Sequence, residues 1–456
     1  MNIKFIVFLI FIFSSISTIL FILFKPNITL NSKYNIKIQT FYFGVLIGAI
    51  LIIIIKILSF EEIKTNLIGS SRLSPIGILI LFLSMAFISI FLDYCGFFDY
   101  CARIAIKHSE ENSIKLFFVL YFIVSTLTIF TSNDIVILTF TPFIYYFARD
   151  TKIDPIPFLV AEFFAANTWS MMLYIGNPTN ILIAGASGIS FFSYFLIMAL
   201  PTIVAGLTNL FVVYAIFYKH INYPIIKQDI DPKAAIKDKQ GSLIGLIVLV
   251  LCIITLSISQ YIHISIWKIS LFFAFLLATF ITIRVIYNLI KAIKNKTKFS
   301  NPILTHTVEK MPWGVIPFVL SLFIIVEALQ KYGITEDISL FLNSLCMNNQ
   351  KLYIFIYGIL STLSANFLNN IPMSLSFVPL ISSTPKEFTL GTAYSVIIGS
   401  NLGANVTPIG ALAGIMWMSI LKNHGFKISF LKFIQYGLPV TFFSLLASLF
   451  TLSLFF

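Results

Sequence analysis

Ser125 to Asp134 reads STLTIFTSND, and Ser361 to Asn370 reads STLSANFLNN, an interval of 236 residues. Both stretches open on Ser-Thr-Leu. The first closes on Asn133-Asp134 and the second on Asn369-Asn370. An Ile follows each, then an apolar run broken by proline, in NDIVILTFTP and NNIPMSLSFVP. The flanking sequence is apolar enough to sit in lipid, so this punctuation, written twice, decides the fold.

The 456 residues are 58% hydrophobic and 11% charged, with a mean hydropathy of +0.97. Soluble domains carry about a quarter charged residues. Runs such as FIVFLIFIFSSISTILFILF reach the roughly 20 residues that span a bilayer. The chain reads as an all-α polytopic protein integral to a plasma or inner membrane. The N-terminal run carries one early lysine, and no small-x-small site follows it cleanly. It reads as a first span rather than a removed leader. The net charge of +12 does not indicate nucleic-acid binding, because the Lys and Arg residues lie between apolar spans. Cys95, Cys101, Cys252 and Cys346 form no C-x-x-C pair, and the five histidines form no H-E-x-x-H. No metal centre and no cofactor are expected.

We place spans at 3–24, 39–59, 75–94, 155–183, 191–218, 243–261, 266–288, 313–330, 390–420 and 432–455. The segments at about 113–149 and 351–383 read as re-entrant hairpins. Those at about 155–183 and 390–420 read as helices broken by Gly, Asn and Pro. The loops 25–38, 95–116, 149–154, 219–240, 289–312 and 421–432 then share one side. That side collects most of the Lys and Arg, which makes it cytoplasmic. Each half holds five spans and one hairpin, and an odd number inverts the second copy. Residues 1–218 are thus read as repeat 1, 219–240 as a cytoplasmic linker and 241–456 as repeat 2. Inverted repeats with helices broken at the midplane are the architecture of secondary transporters.

Irregular backbone is tolerated at membrane depth only where protein covers it or it lines a cavity. Four such breaks are readable. They supply Ser132, Asn133 and Asp134; Gly176, Asn177, Pro178, Thr179 and Asn180; Asn366, Asn369 and Asn370; and Asn401, Gly403, Asn405, Thr407 and Pro408. Their amides, hydroxyls and exposed backbone groups suit substrate or ion binding. Three acids fall near hydrocarbon depth and are candidates for ion coupling: Asp134, Glu162 and Glu327. Asp93 and Asp150 read as interfacial.

At these residues the chain resembles permeases of the ion-transporter superfamily. It resembles most the arsenite-efflux branch, with sodium/proton antiporters and divalent-anion or citrate-type permeases as relatives. The resemblance rests on TSNDIVILTFTPF, NNIPMSL, PWGVIPFVLSLFIIVEAL and GSNLGANVTPIGALAGIMWMSIL. It covers most of the chain from about residue 75. Two positions depart from the arsenite branch. Asn401 stands where that branch tends to have Asp, and Ala404-Asn405 where it has Pro-Lys, so an ionisable group has left the second break.

The resemblance implies alternating-access transport of a small inorganic or small-anion substrate, driven by a proton or sodium gradient. Proton-coupled efflux of the arsenite or antimonite type stands first, because an ionised Asp134 would repel an anion. Sodium/proton antiport and dicarboxylate or citrate permeation are the alternatives within the superfamily, and an ion channel is the alternative from another class. An enzyme is not expected, since no nucleophile and base stand at usable spacing. Relatives often pair through scaffold spans, which leaves a homodimer open. A separate ATPase subunit is also left open, since the chain has no G-x-x-x-x-G-K-[ST] loop of its own.

Overall fold

With no water in a bilayer core, an apolar chain satisfies its backbone internally, as helix. The computed structural model describes residues 3–25, 27–31, 36–68, 74–109, 112–222, 231–295, 302–426 and 428–456. Among these, nine helices are long and apolar enough to cross a membrane. They are Ile3–Ile22, Pro75–Tyr94, Ser113–Phe130, Phe191–His220, Lys239–Ser257, Ile266–Lys294, His306–Lys331, Gln350–Leu368 and Phe430–Leu452. The chain is therefore an integral, multi-pass membrane protein. A two-stranded antiparallel ribbon, Asn27–Asn31 with Ile36–Gln39, is the only sheet among the described residues. It consumes the start of the span expected at 39–59, whose helix runs only from Phe43 to Ile54.

Both hairpins are present. The first has arms Ser113–Phe130 and Asn133–Thr151, and the second has arms Gln350–Leu368 and Asn370–Ser382. Both broken helices are present too. Ile156–Trp169 is followed by a short 3-10 turn and then by Pro178–Ala186, and Lys386–Gly403 is followed by Leu412–Asn423. Two further helices occupy stretches read as loops, Phe97–His108 and Ile334–Cys346. Each buries one apolar stripe, Phe98, Ala102, Ala105 and Ile106 in the first and Ile334, Leu342 and Cys346 in the second. Mixed polar sequence hides such helices from a search for apolar runs. Gly96 (φ +84°) and Gly333 (φ +70°) each make the left-handed turn that starts them, a conformation glycine adopts without Cβ strain.

These elements correct the register of the internal repeat. Gly96 matches Gly333, the helix cap Asn112 matches Asn349, and Asn133 matches Asn370, all at an interval of 237. Ser-Thr-Leu, at 236, lies inside a helix, where a one-residue slip breaks no cap. Helix starts tolerate no slip, because the cap side chain must reach specific backbone N–H groups. Asn112 accepts from Lys115 N at 3.0 Å, and Asn349 accepts from Lys351 N at 2.9 Å.

The first halves of the broken helices form the centre. Every residue from Pro157 to Trp169 and from Gly391 to Gly403 is buried. Phe191–Phe217 and Phe430–Leu452 pack against each other and brace this centre. On the second brace, a Cβ at Gly437 would fall 1.9 Å from the Asn405 carbonyl oxygen, which is backbone and cannot rotate away. Gly437→Ala is expected to cost about 3 kcal/mol, the upper range for overpacking. Thermal unfolding in detergent would read it, and an unchanged midpoint would show that the two helices can separate.

Candidate functional site

Each hairpin tip is tied to the broken helix of its own half by one backbone hydrogen bond. Asn133 N donates to Gly176 O at 3.3 Å, and Asn370 N donates to Gly410 O at 2.9 Å. Asn369 turns the second tip at φ +71°, a backbone conformation costing a non-glycine residue about 1–3 kcal/mol. Its side chain compensates by donating from Nδ2 to Ile409 O at 3.1 Å.

Between the tips the two breaks interlock through amides. Asn401 Oδ1 accepts from Asn177 Nδ2 and Ser170 Oγ, each at 2.9 Å. Asn401 Nδ2 donates to Asn180 Oδ1 at 2.7 Å. Ser400 Oγ donates to Thr179 Oγ1 at 3.0 Å. A second chain runs from Asn133 Nδ2 to Asn167 Oδ1, and from Asn167 Nδ2 to Asn405 Oδ1, each at 3.0 Å. Asn405 Nδ2 then donates to Thr168 Oγ1 at 3.3 Å. All of these residues are fully buried, where an unpaired amide is costly. At the rim of the second break, Thr407 Oγ1 donates to Asn366 Oδ1 at 2.7 Å, and Asn366 Nδ2 donates to Gly403 O at 3.1 Å. Pro178 opens the second half of broken helix 1, where its missing N–H costs nothing. Pro408 lies buried in the second break.

Two clefts flank this centre. The larger, about 750 Å³, is lined by Ser132, Asp134, Thr139, Asp93, Lys310 and His424, among others. The smaller, about 420 Å³, is lined by Glu327, Gln330, Asn66, Gly185, Leu375 and Pro379, among others. The helix Pro75–Tyr94 reaches the small cleft with Pro75 and the large one with Asp93. Those residues are about 27 Å apart along a helix. The helix Val315–Lys331 runs the other way, from Gly314 and Pro317 at the large cleft to Gln330 at the small one. The clefts therefore open at opposite ends of the same two helices. The larger opens beside segments 309–314 and 424, on the side assigned to the Lys-rich loops.

The candidate residues divide accordingly. Asp134 and Ser132 reach the large cleft, and Glu327 lines the small one. Glu162 is completely buried against Thr141 and reaches neither. Gly176, Asn177, Thr179, Asn180, Asn401 and Asn405 are brought together but bond to one another, to Asn167, Thr168, Ser170 and Ser400, or to backbone in this conformation. The carboxylate of half-buried Asp134 meets no hydrogen-bond or ion-pair partner among the described residues. Asp93 is not merely interfacial: it lines the large cleft, accepts from Thr139 Oγ1 at 2.8 Å and pairs with Lys310 Nζ at 2.9 Å. Sequence reading missed Lys310, Thr139, Ser170 and Asn167. Of these only Asn167, an amide inside a largely apolar run, carried a signal that could have found it.

The citrate transporter family profile matches residues 19–395. The arsenical pump membrane protein of Escherichia coli K12 is 27% identical over 381 residues, covering 80% of this chain and 84% of its own. An uncharacterized transporter of Mycobacterium tuberculosis is 25% identical over 381 residues, covering 81% of this chain and 84% of its own. The crystal structure of the Alcanivorax borkumensis YdaH transporter, of unusual topology, superposes with a TM-score of 0.54 at 12% identity. It covers 100% of this chain and 98% of that one, a likeness of fold. A helix-dense membrane chain with paired hairpins and breaks, matched over most of its length by this profile, belongs to the citrate transporter family and is a membrane transporter.

Proposed function

We propose that this transporter carries a small neutral metalloid hydroxide, of the arsenite or antimonite type, by alternating access coupled to protons. The observation that carries this reading is Asp134, placed at a hairpin tip facing the large cleft without a cationic partner. At about 6 Å and an effective dielectric near 20, two like charges repel by about 3 kcal/mol. A multiply charged anion meets that penalty more than once, and a neutral hydroxide does not. Ser132, Thr139 and Gln39 offer hydroxyl and amide groups to a hydroxylated solute. No cysteine lines either cleft, so recognition here is by oxygen and nitrogen rather than thiolate.

In this reading, residues 1–218 and 241–456 are inverted repeats joined by the linker 219–240. The large cleft is the cytoplasmic vestibule and the small cleft the opposite one. Asp134 loads a proton when the substrate leaves and releases it when the substrate binds. A citrate-type anion permease is the second reading, favoured by Lys310 at the cleft wall.

The test is uptake of arsenite, sodium and citrate, side by side, into sealed vesicles bearing the purified protein under an imposed pH gradient. Saturable arsenite movement that collapses with the gradient is the expected result. Citrate or sodium flux without arsenite movement would replace the substrate and keep the architecture.

A further inference from the structure

Glu162 is the only Asp, Glu, Lys, Arg or His that is completely buried among the described residues. Its two carboxyl oxygens lie 3.2 and 3.3 Å from Thr141 Oγ1. The same Oγ1 lies 2.6 Å from the Ile137 carbonyl oxygen. A hydroxyl owns one proton, and a carbonyl can only accept. Thr141 therefore gives its strongest bond to Ile137, and its longer contacts leave an ionised Glu162 only weakly stabilised. The indole N–H of Trp417 is buried beside the same carboxyl and has no other acceptor.

We infer that Glu162 is a second proton-binding site, holding its proton in the conformation described and giving it up when the first hairpin shifts against the second broken helix. The inference rests on the proton coupling proposed above and adds a site to it. Thr141 lies on the hairpin arm Asn133–Thr151, Trp417 lies on Leu412–Asn423, and these helices pack on each other. Both also line the large cleft, through Thr139 and Pro142 on one and Met416 and Ile420 on the other. A movement there can turn the Thr141 hydroxyl from Ile137 towards Glu162 and bring the Trp417 N–H onto the same group. The same movement opens Glu162 to the large cleft, the proton passes to water there, and the carboxylate left behind accepts from two donors. No charged side chain among the described residues couples to Glu162 from the surrounding helices Ser113–Phe130, Asn133–Thr151, Phe191–Phe217, Lys386–Gly403, Leu412–Asn423 or Phe430–Leu452. Hydroxyl and indole positions therefore set its protonation.

Infrared difference spectroscopy on the reconstituted full chain, stepped in pH without transported solute, reads this proton directly. At neutral pH we expect a protonated-carboxyl carbonyl stretch that is absent in Glu162→Gln and shifted in Thr141→Val. In the vesicle assay, Glu162→Gln should move one proton fewer per solute. An unchanged infrared band in Glu162→Gln, or a lost band with unchanged proton stoichiometry, would overturn the inference. If Glu162→Gln does not fold, the same band in Thr141→Val and Trp417→Phe decides. The spectra need no arsenite, so a wrong substrate and a wrong proton site give different results.

Discussion

Asp134→Asn is expected to cut pH-gradient-driven arsenite uptake by about 100-fold, the rate equivalent of about 3 kcal/mol. Asn keeps the size of the side chain and its place at the helix start, so the hairpin should still form. What goes is the carboxyl at the large cleft to which the proposed coupling assigns proton exchange. The pH dependence of transport should flatten in the variant. The same substitution separates the two substrate readings, because removing a negative charge affects a neutral solute and an anion oppositely. If citrate is the true substrate, its affinity should rise by about the same factor once the repulsion is gone. A variant with wild-type rate and wild-type pH profile would remove Asp134 from the mechanism.

Asn401→Ala is expected to be among the most damaging substitutions for stability. It deletes the acceptor of Asn177 and Ser170 and the donor to Asn180. Three buried polar groups would lose that partner, each at a cost of about 1–3 kcal/mol. Ser170 keeps the Asn167 carbonyl and Asn180 Nδ2 keeps the Ser170 and Leu173 carbonyls, so the atoms left bare are Asn177 Nδ2 and Asn180 Oδ1. The net loss should therefore fall near about 3 kcal/mol rather than at the full sum. Thermal unfolding and the folded fraction after detergent extraction would check it. A variant as stable as the parent would show that the two breaks are held by packing alone. A folded variant with lost transport would instead place Asn401 on the substrate path.

The hairpins and broken helices were legible because lipid permits few exceptions to the helix, so Gly, Pro and Asn inside an apolar run stand out. Asp134 was legible for the same reason, as an acid at a break. The helices Phe97–His108 and Ile334–Cys346 were not, because their charged faces resemble loop sequence. Repeat register was misread by one residue, since Ser-Thr-Leu is a match of letters within a helix while the caps are matches of geometry. Asp93 looked like a span-end residue because its partners, Thr139 and Lys310, are 46 and 217 positions away.

The sequence by itself determined a polytopic helical protein and its paired breaks. Those properties depend on the hydropathy and backbone chemistry of local segments. Only the tertiary structure decided which polar groups bond to one another and which face a cleft. An asparagine reads alike whether its partner is another asparagine or a substrate, and Ser170, Asn177 and Asn180, which Asn401 bonds across the breaks, lie more than 200 residues away.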